Sequence, residues 1–272
     1  MGLKLFYSYC FLGIFLTGIL IDAGLYSKIR KKQLVFCVPF VRWGFREVLF
    51  VVFLYSLFLY TLVRIEYVLF EEFRLSYLRE NGLILIFNNL LLYLVVLLGL
   101  YEIVLKKARK EKVFLLNRGI LKNMYIGILS YFGFIPLLVF LTTLTQLIGY
   151  FFKIDFHEQA ILSLLREESS LGIMVLYAIL IALVAPIVEE LFFRGLVYPV
   201  FKKKIGILGA FICSSLFFSL LHWNIYVLLP IFGVGMALAF VFEITGSLVA
   251  SITFHIFFNS SALFIFFISQ IK

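Results

Sequence analysis

The sequence predicts an all-α protein, a polytopic transmembrane helix bundle of about eight spans. Three observations predict it. Hydrophobic residues make up 64% of the 272 and charged residues only 14%, where a soluble chain carries about a quarter charged. Apolar runs of about 20 residues, the length that crosses a bilayer as a helix, recur along the whole chain. The basic residues gather in alternate gaps between those runs, the asymmetry that orients membrane proteins.

Taken in order, the candidate spans lie near residues 5–25, 46–63, 83–105, 125–150, 173–198, 208–223, 226–243 and 247–268. The first is long and lacks a small-residue cleavage site, so a retained helix is expected rather than a signal peptide. Between the first and second spans stand Lys28, Arg30, Lys31, Lys32, Arg42 and Arg46. Between the third and fourth stand Lys106, Lys107, Arg109, Lys110, Lys112, Arg118 and Lys122, and Lys202, Lys203 and Lys204 follow the fifth. Sixteen of the 24 basic residues thus fall in three alternate loops. The positive-inside bias makes those loops cytoplasmic in a cell membrane and leaves both termini outside. Their charge accounts for most of the net +9, so nucleic acid is not an expected partner and the lipid bilayer is. Residues 64–82 and 151–172 are the more mixed outer segments, the first able to lie flat at the interface. Glu71, Glu72 and Arg74 sit among other charges there and read as a solvated face. Cys10, Cys37 and Cys213 are isolated and read as apolar filler without a disulfide framework.

One stretch breaks the pattern. Within the apolar run from Leu171 to Val200 stand Glu189, Glu190 and Arg194. A charge at the centre of a membrane helix costs roughly 2.5–3.5 kcal/mol even on lenient insertion scales, so such groups mark functional sites by default. At about 100° per residue, Glu190 and Arg194 share a helical face and are expected to pair. Glu189 points about 100° away and is the carboxylate left over. Pro186 lacks a backbone N–H and is expected to kink the helix beside it. Downstream, Phe218 and His222 share a face by their spacing of four, and so do His255 and Asn259. At a rise of 1.5 Å per residue, Glu189, His222, His255 and Asn259 lie at similar depths, about 12–20 Å in. That agreement requires residues 200–208 to lie along the surface, or the sixth helix to be tilted or broken.

Glu-Glu-x-x-x-Arg, then Phe-x-x-x-His, then His-x-x-x-Asn, in this order within about 70 residues, resembles the CPBP family. This is the CAAX protease and bacteriocin-processing group of intramembrane proteases, also called the Abi family, which includes the Rce1-type CAAX endopeptidases. The resemblance covers roughly residues 172–265. It implies a protease core of four spans over residues 172–268, after an N-terminal membrane region, residues 1–171, of four spans and an outer loop with no assigned role. It further implies a metal-independent glutamate protease without a cofactor, acting on a membrane-associated protein or peptide. Glu189 and His222 would activate a water, His255 and Asn259 would stabilise the oxyanion, and Glu190, Arg194 and Phe218 would support them.

Several other readings compete. The acidic and basic groups can knit helices together, and His255 with Asn259 can serve as interhelical hydrogen-bonding glue. Glu243, one turn before Thr245-Gly246, reads as interfacial. A zinc site built from Glu189, His222 and His255 is the metal alternative, although the chain lacks His-Glu-x-x-His. No serine nucleophile elbow or phosphate-binding glycine loop is present. At the level of function, the alternatives are a non-catalytic scaffold or bacteriocin-immunity-type protein of the same fold, and a transporter.

Overall fold

The computed structural model describes residues 18, 41, 43–69, 82–102, 119–154, 160–168 and 170–270. Among them every regular element is helical: α1 (Phe45–Tyr67), α2 (Gly82–Leu100), α3 (Ile120–Phe152), α4 (Ala160–Glu167), α5 (Leu171–Ile179), α6 (Ala185–Phe192), α7 (Tyr198–Leu220), α8 (Ile225–Thr245) and α9 (Leu248–Gln270). Two π-helical turns, Leu180–Val184 and Phe193–Val197, bracket α6 and join it to its neighbours, so the chain is helical from Leu171 up to a kink at Gly206 and again from there to Leu220.

Six of these stretches are long and apolar enough to cross a membrane: α1, α2, α3, the run Leu171–Leu220, α8 and α9. The chain is a multi-pass membrane protein. Of the eight spans expected, the one near 5–25 lies, Gly18 apart, outside the described residues, as do the basic clusters at 28–32 and 106–118 and the acidic segment at 71–74. The expected fifth and sixth spans are one helical run. Counted along the chain its 50 residues are about 75 Å of helix, more than twice the roughly 30 Å of a hydrocarbon core. Its break is at Gly206, whose φ of 76° and ψ of −179° fall in a region essentially confined to glycine. No atom lies within 4 Å of where a Cβ would stand, so glycine is needed there for its backbone freedom and not for space. Residues 200–208, expected to lie along the surface unless the sixth helix is tilted or broken, contain that break at Gly206 and are otherwise helical.

The helices form two compact units. In the unit that includes Leu115–His157 and Phe201–Phe258, α3 and α8 pack along each other. Tyr131, Phe134, Ile135, Val234, Leu238, Val241, Ala250 and Phe254 make its core. Membrane helices gain little from hydrophobic transfer against lipid, so close van der Waals packing at small residues has to hold them. Gly127 illustrates this: a Cβ there would stand 2.4 Å from the carbonyl oxygen of Ala250. Helix α8 is capped at its start by Asn224, whose side chain accepts from the Tyr226 N–H at 2.9 Å, and ends at Gly246 in the left-handed region.

The unit that includes Phe40–Phe114, Glu158–Val200 and Asn259–Lys272 contains α1, α2, α4, α5, α6 and the last turns of α9. Ile86, Leu165, Tyr177, Leu263 and Phe266 form a core there, and the Tyr177 hydroxyl donates to the Gly82 carbonyl at 3.2 Å. Helix α2 packs on α1, α5 and α6. Arg64 and Glu66, expected in an interfacial segment, belong to the last turn of α1.

Candidate active site

Glu189 and Glu190 lie on α6, between the two π turns. Each π turn has a visible hydrogen-bond signature: the Ala185 N–H reaches back five residues to the Leu180 carbonyl, and the Tyr198 N–H to that of Phe193. Pro186 supplies a cause for the first. Without an N–H it cannot continue the ladder, and its ring would crowd the carbonyl four residues before it. The next five-residue bond would join the Ile181 carbonyl to residue 186, which has no hydrogen to give. That orphaned oxygen accepts from Asn259 Nδ2 at 2.8 Å instead. Sequence reasoning anticipated a kink at Pro186 but not the π turns, which occur mostly as single turns inside α-helices and often at functional sites.

The expected pair is present: Arg194 Nη1 lies 3.1 Å from Glu190 Oε1, with both side chains buried. The guanidinium also stands over the Phe193 ring, 5.7 Å from its centroid. Breaking such a buried pair leaves an uncompensated charge, so it fixes α6 and the following π turn against each other. Glu189 is half-buried, consistent with a carboxylate that is not sealed into the pair.

Asn259 is half-buried on α9, one turn beyond the buried His255. An asparagine amide carries two N–H groups, and one of them is committed to Ile181.

His222 follows the end of α7. Its backbone N–H reaches the Ser219 carbonyl at 3.1 Å, and the next residue, Trp223, takes a φ of 48°. For a bulky side chain that is a strained conformation of the kind found at functional sites. His222 Nδ1 lies 2.9 Å from the Phe218 carbonyl oxygen. A carbonyl only accepts, so Nδ1 carries the hydrogen, and in the neutral ring Nε2 is left as the acceptor. The Phe218 ring packs edge-on against two imidazoles, with centroids 4.9 Å from His222 and 5.8 Å from His255. Phe218 therefore gathers both histidines around one buried ring.

The residues expected to act together fall in both units. Phe218, His222 and His255 belong to the one with α3 and α8; Glu189, Glu190, Arg194 and Asn259 belong to the other. Among the described residues no three His, Cys, Asp or Glu side chains are grouped so as to hold a metal ion.

Sequence reasoning missed a second buried ion pair. Lys202 Nζ lies 2.6 Å from Glu243 Oε1, and both side chains are buried. Lys202 is thus not a solvated loop cation, and Glu243 is fully enclosed by protein. Lys203 and Lys204 are exposed.

Residues 171–261 match the family model described as Type II CAAX prenyl endopeptidase Rce1-like. The match contains all seven residues singled out above. No curated protein and no solved structure matches the chain.

Proposed function

Taking the Rce1-like domain over residues 171–261 as the premise, we propose that this membrane protein is an intramembrane endopeptidase. Its substrate is a membrane-associated protein or peptide precursor. Glu189 is the general base and, with His222, holds the attacking water. The carboxylate takes a proton from water as the oxygen adds to the scissile carbonyl. That proton then passes to the departing amine as the C–N bond breaks. His255 and the remaining N–H of Asn259 donate to the oxyanion, the electrostatic contribution that usually dominates acyl transfer. Glu190 and Arg194 support the helix that presents Glu189, and Phe218 sets the two imidazoles. No step calls for a metal.

The observation that carries this reading is the family match, which spans a protease domain and encloses the three motifs in order. The His222 tautomer supports it, because an Nε2 lone pair is what a water-holding imidazole requires. We further propose that the basic loops are cytoplasmic and both termini outside, and that residues 172–268 form the protease core.

The test is a comparison of membrane and secreted peptides from cells carrying the wild-type protein or Glu189→Gln at equal abundance in the membrane. New peptide termini present only with the wild type are expected. Identical peptide sets would sink the endopeptidase and favour the non-catalytic scaffold.

A further inference from the structure

Two tyrosines outside the matched domain converge on Glu189. Helices α1 and α2 are pinned to each other at two levels. Asn88 Nδ2 donates to Glu66 Oε1 near one end. Near the other, a Cβ at Gly99 would stand 3.2 Å from Val51 Cγ2. Residue 66 beside 88 and residue 51 beside 99 make the two helices antiparallel. Tyr55, one turn past Val51, is then level with about Val95, within a turn of Tyr93. Tyr55 continues the buried stripe of Val48 and Val51, and Tyr93 lies between the buried Ile86 and Val96 at helical spacing. Helix α2 in turn packs against α6, which carries Glu189. The Tyr177 hydroxyl bonds to Gly82 at the start of α2, so to reach α6 as well α2 must run in the same direction as the helix from Leu171 to Phe192, which sets Tyr93 level with about residue 188. Three helices of one unit thus bring two phenols and one carboxylate to the same place.

An aromatic ring alone would satisfy the packing on α2. A phenol in such a place brings an O–H that has to find a partner when it is buried. It has one hydrogen to give, and a carboxylate is a stronger acceptor than a neutral oxygen. We propose that Tyr93, backed by Tyr55, is a positioning residue for Glu189. Its hydroxyl donates to one carboxylate oxygen and leaves the other turned to the attacking water. The Tyr55 hydroxyl donates to the Tyr93 oxygen and fixes its rotation. With Arg194 on the Glu190 side, this holds Glu189 from two directions. It also gives α1 and α2 a part in the chemistry of a domain that begins only at residue 171. The inference rests on the reading of Glu189 as the base.

The experiment uses the full-length protein in liposomes and, as probe, a synthetic peptide spanning the junction whose cleavage depends on Glu189. Tyr93→Phe keeps the ring and removes only the hydroxyl. It is expected to lower kcat about tenfold, the equivalent of one hydrogen bond, with KM within about twofold and the same unfolding temperature. Tyr55→Phe is expected to lower kcat about threefold by the same route. Tyr60→Phe, on the lipid-facing side of α1 and 63% exposed, serves as the control and is expected to match the wild type. A Tyr93→Phe protein with full kcat overturns the inference, as does one whose loss follows only a lower folded fraction. Glu189→Gln separates the two levels. If that variant is inactive while Tyr93→Phe is fully active, only the positioning role fails; if Glu189→Gln itself turns over, the base reading fails first.

Discussion

Replacing His222 with alanine is expected to lower kcat/KM by about 10²–10⁴-fold, the range that a positioned acid–base group contributes. Glu189→Gln is expected to cost as much, and the double variant no more than the worse single. In the proposed mechanism carboxylate and imidazole perform one operation, holding and deprotonating a single water, and groups that act as a unit are strongly non-additive. The bond from Nδ1 to the Phe218 carbonyl sets the His222 tautomer, and the Phe218 ring edge sets its plane. Both supports come from the helix turn that ends in His222, so His222→Ala should leave α7 intact. Kinetics on the four proteins of the cycle check it. Losses that multiply would mean that the two side chains serve separate steps, contrary to the proposal.

Lys202→Ala is expected to destabilise the protein by about 3–5 kcal/mol, the usual cost of stripping one partner from a buried ion pair. The aliphatic stem adds packing to that loss. The double variant Lys202→Met/Glu243→Gln removes both charges and is expected to recover most of the stability, because a buried pair repays its own desolvation only narrowly. Thermal or denaturant unfolding in detergent reads both. A single variant within about 1 kcal/mol of wild type, the size of a surface pair, would show that the pair is hydrated and not the clamp its burial implies. Its place in the fold gives the clamp a purpose. Lys202 lies one turn before the break at Gly206, and Glu243 lies in the last turn of α8, just before Gly246. Two chain breaks are thereby tied together at their base.

Hydropathy made the spans legible because a 20-residue apolar run has few alternatives in a membrane protein. The Glu190–Arg194 pair was legible for a similar reason: helical geometry alone brings residues four apart together. The helical run through residues 200–205 was harder to see, since three lysines resemble a loop. Nothing in the local pattern says that one of them turns inward to a glutamate 41 residues away. An acidic residue in the last turn of an otherwise apolar helix was the available hint, because such a group needs a partner. The π turns were half legible. Pro186 announces that one hydrogen bond is missing, but the identity of the group that answers the orphaned Ile181 carbonyl is a tertiary fact. Tyr55 and Tyr93 gave no signal among 15 tyrosines, since only the packing of α2 on α1 and on α6 brings them to the level of Glu189.

The convergence of Glu189 and His222 is tested most directly by cross-linking in native membranes. In a protein with Cys10, Cys37 and Cys213 replaced by serine, the substitutions Glu189→Cys and His222→Cys are introduced together. A bifunctional thiol reagent is then applied whose span is about two hydrogen-bond lengths, roughly 6 Å, the distance across one bridging water. His222→Cys with His255→Cys, two positions on the rim of the Phe218 ring, is the positive control. The account predicts an intramolecular link at 189/222 as efficient as the control. A control that links while 189/222 does not would contradict it, since no single water can then be shared by the two groups.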